Sequence, residues 1–205
     1  MIMTEQDWFV KDNGQCFPCE IEFNQTELSH PYRLYRFLTE LEDILNSITD
    51  DYLRLKAIRP LVRKLLTTTD WIQILALDLD PHNSWEVLTL YNEPSFPLTV
   101  QLVAWAPNMT SPIHNHGCWA MVALLSGEEK NTFWQRTPTL ELPDQIKPVE
   151  TRVLYPGDIL SMTANTIHHV EVTGNEPTIS FNLYGHTNYQ QRFEFDPLNC
   201  TAKNF

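Results

Sequence analysis

Pro112-Ile113-His114-Asn115-His116-Gly117-Cys118-Trp119-Ala120-Met121-Val122-Ala123-Leu124-Leu125-Ser126-Gly127 is the stretch that decides how this chain is read. On an extended strand successive side chains alternate between faces, so His114 and His116 project from the same side. An apolar run, Trp119 to Leu125, follows them, and Ser126-Gly127-Glu128 closes it as a turn. His168 comes 52 residues after His116, beyond a Pro156-Gly157-Asp158 turn, at the start of another strand-like run. Two same-face imidazoles and a third from a neighbouring strand can take three corners of a metal's coordination sphere. Open positions then remain for water, substrate or oxygen. Spacing alone fits a pair of solvated strand histidines equally well.

Outward from this stretch, short runs dominate the second part of the chain: Trp85–Leu90, Leu98–Trp105, Trp119–Leu125, Lys130–Arg136, Val149–Tyr155, Asp158–Met162, His168–Val172 and Thr178–Tyr184. Turn residues such as Asn-Glu-Pro, Ala-Pro-Asn and Gly-Asn-Glu-Pro separate them, with no helical stretch between. Many short strands of this kind predict a closed or double-sheet β architecture. Eleven of the 14 prolines lie from residue 81 onward, and five of the six glycines fall between Gly117 and Gly185. The front of the chain therefore reads differently. Ser29 can cap a helix that Pro31 starts, and Leu34, Phe37, Leu38, Leu41, Ile44, Leu45 and Ile48 recur at helical spacing. A second helix is expected after Thr49, burying Leu53, Ile58, Leu61, Leu65 and Leu66, with Pro60 kinking or restarting it. Trp71–Leu79 fits helix or strand.

The 205 residues suffice for one domain with a sizeable core, and 42% hydrophobic with 20% charged residues is an ordinary globular balance. Net charge is −12 at pH 7, and residues 1–80 and 81–205 carry −6 each. Phosphate backbones and anionic membranes are repelled by such a surface, so neither nucleic acid nor membrane is an expected partner. The start, MIMTEQDW, has two acids and no basic apolar ramp, and the Trp119–Leu125 run is far short of the roughly 20 residues a span needs. A cytoplasmic location with four free thiols is expected. No GxGxxG or GxxxxGK[ST] pattern is present, which excludes those nucleotide loops.

His114 to Gly127 resembles the first motif of the cupin superfamily, and Gly157 to His168 resembles the second. In the first, Ala120 stands where many cupins place a metal-binding Glu. In the second, the usual Pro and second Gly are replaced within Thr163-Ala-Asn-Thr-Ile-His168. Trp105 to Trp119, His168-His169-Val170-Glu171 and Ser180-Phe-Asn182-Leu-Tyr184 together resemble the bacterial cysteine dioxygenase/3-mercaptopropionate dioxygenase group. The resemblance implies a mainly β cupin double-stranded β-helix (jelly-roll barrel) over 81–205, with residues 1–80 as an N-terminal helical segment packed on it. It implies Fe(II) held by His114, His116 and His168, with O2 as co-substrate and a small thiol oxidised to its sulfinic acid.

It also implies catalytic roles for Ser180, Asn182 and Tyr184, which line the iron pocket at the family's Ser-His-Tyr positions. By pattern alone these three share one strand face and read as polar residues turned to water. Asn182 replaces the family's His, so the amide orients the Tyr184 phenol rather than relaying a proton. The family's carboxylate-binding Arg or Gln has no counterpart in Trp85–Tyr91, and Arg136 or Arg152 are the basic residues considered to reach inward instead. Since the cysteine that some members crosslink to their Tyr corresponds to Ala120, no thioether is expected.

Two rival functions keep the same histidines: another divalent metal doing non-redox chemistry, and a non-catalytic cupin that binds a small molecule. Elsewhere the bland reading prevails. Cys16-Phe-Pro-Cys19 lacks a second cysteine pair, Cys118 reads as a packing residue, and His169 should face away from His168 into solvent. His30, His82 and His186 show no partner. Glu128-Glu129-Lys130 reads as a solvated turn, and Trp105, Trp119, Phe133 and Trp134 as core.

Overall fold

The computed structural model describes residues 5–21, 32–77, 80 and 84–205. The proposed Ser29/Pro31 helix start and His30 and His82 lie outside them. Three helices, α1 (Leu34–Ser47), α2 (Asp51–Thr68) and α3 (Asp70–Leu77), follow two short strands, β1 (Asp7–Val10) and β2 (Cys16–Cys19). Eleven further strands come next: β3 (Trp85–Glu93), β4 (Phe96–Trp105), β5 (Ile113–His114), β6 (Ala120–Ser126), β7 (Glu129–Arg136), β8 (Ile146–Leu154), β9 (Ile159–Met162), β10 (Ile167–Val172), β11 (Thr178–Tyr184), β12 (Phe193–Asp196) and β13 (Thr201–Asn204).

One sheet runs β2-β1-β9-β6-β11-β4-β3 and the other β13-β12-β5-β10-β7-β8. Within them, β4-β11-β6-β9 faces β5-β10-β7-β8, the strand order of an eight-stranded jelly roll. The fold is therefore the mainly β, cupin-type double-stranded β-helix with a helical segment near its N-terminus. The grouping of residues 1–80 as helical needs one correction: residues 7–19 form β1 and β2, and β1 extends the first sheet by pairing parallel to β9. At four residues each, these strands sit at the lower limit for a period-2 signal.

Both faces of the first sheet are buried. Its outer face carries Leu98, Val100, Leu102, Met121, Ala123, Phe181 and Leu183 against Phe37, Leu41, Leu55, Ile58, Val62 and Leu65 of the helices. Its inner face carries Ala120, Val122, Leu124, Leu160 and Met162 against Phe133 and Leu154 of the second sheet, inside the barrel. This two-sided burial decides where the polar residues of β11 go. Phe181 and Leu183 point to the helices, so Ser180, Asn182 and Tyr184 point into the barrel rather than to water.

Helix α2 begins at an Asp50 cap whose side chain accepts from Leu53 N at 2.9 Å. It buries Leu55, Val62 and Arg63 as well as Ile58 and Leu65, whereas Leu53 is exposed. The helix continues through Pro60 without restarting. Buried Arg63 pairs with Asp7 and Glu5 and donates to the Gly157 carbonyl, tying α2 to β1 and to the β8–β9 turn.

Candidate metal centre

His114 lies directly opposite His168 in the antiparallel pair of β5 and β10, which puts both rings on one face of the second sheet. His116 is past the end of β5, so regular strand alternation does not place it. Asn115, between the two ligands-to-be, is buried and turned the other way. Its Oδ1 accepts from Phe193 N at 2.7 Å, and its Nδ2 donates to the carbonyls of Gln191 at 2.7 Å and Ala164 at 3.3 Å. Gly117 follows with φ +64°, where a Cβ would stand 2.7 Å from the Asn188 carbonyl oxygen. These two residues bend the chain so that His116 swings back toward its neighbours. Gly127 keeps a second tight place, φ +78° against the Pro177 carbonyl, at the β6–β7 turn.

The three histidines each offer a ring nitrogen, and these atoms lie within 4.8 Å of one another. His114 Nδ1 donates to the Pro112 carbonyl at 2.9 Å, and His168 Nδ1 donates to Asn131 Oδ1 at 3.0 Å. A neutral imidazole has one N–H, so both rings are left with a bare Nε2. His116 Nε2 approaches His168 Nε2 to 3.0 Å. Lone pairs converging in this way repel unless a proton or a cation sits between them. Burial holds all three well toward the neutral form, with His114 pushed down to about 4. Three neutral, pre-oriented nitrogen donors fit a divalent transition metal, and the outer hydrogen bonds are of the type that fix such ligands. Opposite Tyr184 on β6 stands Ala120, whose methyl group offers no further ligand atom.

Tyr184 stacks beside His116, ring centroids 5.1 Å apart. Its hydroxyl donates to Asn182 Oδ1 at 3.3 Å, and Asn182 Nδ2 donates to Ser180 Oγ at 3.0 Å. Ser180 and Asn182 are buried behind Tyr184, which alone of the three lines the cavity. Burial raises the phenol above its ordinary range, so it stays protonated.

The cavity beside the histidines measures about 600 Å³. Arg192, a residue the sequence reading missed, lines it. Its guanidinium lies 4.5 Å from the Phe205 ring centre, it forms no salt bridge among the described residues, and its Nε is buried without a hydrogen-bond partner. Arg136 and Arg152, the two considered earlier, go elsewhere. Arg136 stacks on Phe193 and Phe195 and pairs with Asp144, while Arg152 lies over Trp8 and pairs with Glu150. Only the local fold reveals Arg192, because it sits in an irregular segment after β11 with no motif around it.

Other expectations need correcting. Glu129 is no solvated turn residue: it points into the barrel, accepts from Thr178 Oγ1 at 2.9 Å, and is pushed up to about 7 by burial. His169 does face away from the cluster, yet it is tied down, accepting from Trp134 Nε1 at 2.9 Å and contacting Glu171. Trp119 and Phe133 are core, whereas Trp105 lines the cavity. Cys118 is buried at the cavity wall with Sγ 3.6 Å from Thr187 Oγ1, and burial raises its thiol. All four cysteines are free thiols. His186 is exposed.

Compared with known protein families, the chain matches none of their sequence profiles. Among solved structures it is similar to a cupin superfamily protein from Desulfitobacterium hafniense, with 17% identity, 54% of this chain and 86% of that one covered, and a TM-score of 0.43. It is also similar to KdgF from a Halomonas species, at 14% identity, 54% and 87% coverage and TM-score 0.41. Oxalate oxidase in complex with glycolate matches at 15% identity, 52% and 53% coverage and TM-score 0.38, so the likeness spans about half of that enzyme. At these values the fold rests on its own strand order, and the site on its own geometry. No helix among the described residues is long and apolar enough to cross a membrane.

Proposed function

We propose that this protein is an iron-dependent thiol dioxygenase-like cupin that oxidises a small acid-bearing thiol to its sulfinic acid with O2. The observation that carries the reading is the cluster of three imidazole donors, two of which, His114 and His116, line one cavity with the Tyr184 hydroxyl and with Arg192, whose guanidinium has no acid partner among the described residues. His114, His116 and His168 would hold the metal. A bound ferrous ion would supply the O2 activation that no amino-acid side chain provides. Thiol plus O2 gives sulfinic acid with every atom accounted for, so no external reductant is needed, in keeping with the absence of those nucleotide loops.

The chain's own residues then divide the remaining tasks. An all-imidazole donor set adds no negative charge, which favours an anionic ligand beside it. Arg192 offers a carboxylate the charge-assisted hydrogen bonds that buried acids require. Tyr184, kept protonated by burial, presents a hydroxyl beside His116. Asn182 holds that hydroxyl in place and is itself anchored on Ser180. An amide neither gives nor takes a proton at neutral pH, so the Ser180–Asn182–Tyr184 row orients rather than relays.

Oxygen uptake by anaerobically Fe(II)-loaded protein, with sulfinate quantified, tests the reading across cysteine, 3-mercaptopropionate, cysteamine and neutral thiols. Uptake matched by sulfinate, fastest with the acids, is expected. Absence of uptake with one iron bound per chain would replace it with non-redox metal chemistry or simple binding.

A further inference from the structure

The cavity is much longer than the metal centre. Along its first-sheet wall it is lined by Thr99, Gln101, Val103 and Trp105 of β4, and it continues to Trp85 on β3. Thr99 is the register partner of Tyr184, and Trp105 is the partner of Thr178, so these residues mark the two ends. Six residue-to-residue steps of strand separate them, about 20 Å at the usual rise. Along the opposite wall the lining passes from His114 through Pro112 and Ser111 to Met109. A volume of about 600 Å³ falls within the range of about 300–1,000 Å³ typical of drug-sized ligands. A three-carbon thiol would leave most of it to water.

The chemistry changes along this length. At the histidine end stand the cation Arg192 and the Tyr184 hydroxyl. Beside Tyr184 the Thr99 hydroxyl, and in the middle the Gln101 amide, make no hydrogen bond to another described residue, which leaves both free for a ligand. At the far end Trp85 and Trp105, cross-strand partners, lie 6.1 Å apart at 32°, with Met109 also lining that end. Trp85 is 57% exposed although it belongs to the cavity wall. An exposed indole paired with another at the end of a groove is a platform for a planar or apolar group.

We propose that the natural ligand is an elongated thiol acid, its acid-bearing head at Arg192 and its apolar, planar tail on Trp85 and Trp105, with a polar linkage passing Gln101. The head assignment rests on the function proposed above, but the tail subsite does not.

Isothermal titration of metal-loaded protein with N-acylserines tests the two separately, since these hydroxyl isosteres cannot be oxidised at sulfur. The series runs from N-acetylserine through N-phenylacetylserine and N-phenylbutanoylserine to N-phenyloctanoylserine. Affinity should rise along it, and Trp85→Ala should weaken the longest member about tenfold, the scale of one lost aromatic contact, while leaving N-acetylserine unchanged. Trp105→Phe, which keeps an aromatic ring in the wall, should retain most of the preference. Equal affinity along the series, or equal weakening of all members by Trp85→Ala, would overturn the tail subsite. If Arg192→Ala leaves every affinity unchanged while Trp85→Ala stays selective, the head assignment fails and the tail subsite stands.

Discussion

Asn131 Oδ1 accepts the Nδ1 hydrogen of His168 across 3.0 Å, and that contact makes His168 Nε2 a lone pair aimed at His114 and His116. Asn131 lies on β7, the strand next to β10, so the histidine is oriented by the sheet itself rather than by a loop. Its Nδ2 is buried and unpaired, which makes the residue expensive to keep for packing alone. Asn131→Leu should therefore fold and still bind metal about 10–100-fold more weakly, the usual effect of losing a ligand's outer partner. Chelator competition would measure it, with His168→Ala, expected to abolish tight binding, as the reference. Undiminished affinity in Asn131→Leu would make the contact incidental.

Asn115 joins three backbone groups from two distant segments, and it stands between the two histidines it positions. Asn115→Ala removes the partner of these three part-buried groups, a loss of about 1–3 kcal/mol. It also frees His116 to leave the cluster and loosens the segment that carries Arg192. Lower urea resistance together with reduced metal stoichiometry is expected. Normal stoichiometry at lowered stability would show that Gly117 alone sets the bend.

Glu129 gives the molecule a pH dependence of its own. The folded chain raises this carboxyl to about 7, against an ordinary value near 4.5, because burial opposes its charge. The folded state thus holds a proton that the unfolded chain gives up, and stability falls as pH rises from about 4.5 through 7. The full penalty, on the order of 3 kcal/mol, is present above that window and absent below it. Glu129→Gln keeps an acceptor for Thr178 and cannot ionise. Urea midpoints should converge for the two proteins near pH 4.5 and diverge in favour of the variant toward pH 8. Parallel curves would mean that Glu129 titrates normally.

The strands β3, β4 and β6 to β11 were legible because each lies in a strand-like run of five to eight residues set off by turn residues. The five that were not, β1, β2, β5, β12 and β13, have two to four residues and are held by pairing partners rather than by pattern. The His114/His116/His168 set was legible from spacing plus resemblance, although strand alternation was the wrong reason for His116: a buried Asn and a left-handed Gly bring it in. Arg192 was invisible because a lone basic residue in irregular chain carries no periodic or motif signal. Ser180, Asn182 and Tyr184 looked solvent-facing by pattern, and only the helices covering Phe181 and Leu183 turn them inward. Glu129 was misread for the opposite reason, an acid beside a turn that the next strand carries into the barrel.

Tyr184 touches the cavity while Asn182 and Ser180 hold it, so their variants should differ. Tyr184→Phe should leave metal affinity within about twofold and lower sulfinate formation on the order of tenfold or more. Asn182→Leu should lower turnover less than Tyr184→Phe, since the phenol remains and only its orientation is lost. Equal losses of metal and turnover in Tyr184→Phe would assign the ring a packing role against His116.

Arg192 is placed to choose between substrates by charge. The cation has no acid partner among the described residues, so a carboxylate-bearing thiol gains from it and an amine-bearing thiol is repelled. Arg192→Ala should raise KM for 3-mercaptopropionate by about 10–100-fold, the scale of one charge-assisted bidentate contact. It should leave cysteamine unchanged or improved. Metal affinity should hold or increase, because the guanidinium repels positive charge on His114 and His116. Arg192→Lys keeps the charge without the planar fork and should recover only part of the acid preference. A uniform loss across acid, amine and neutral thiols would show instead that Arg192 supports the Phe205 side of the cavity wall and reads no charge.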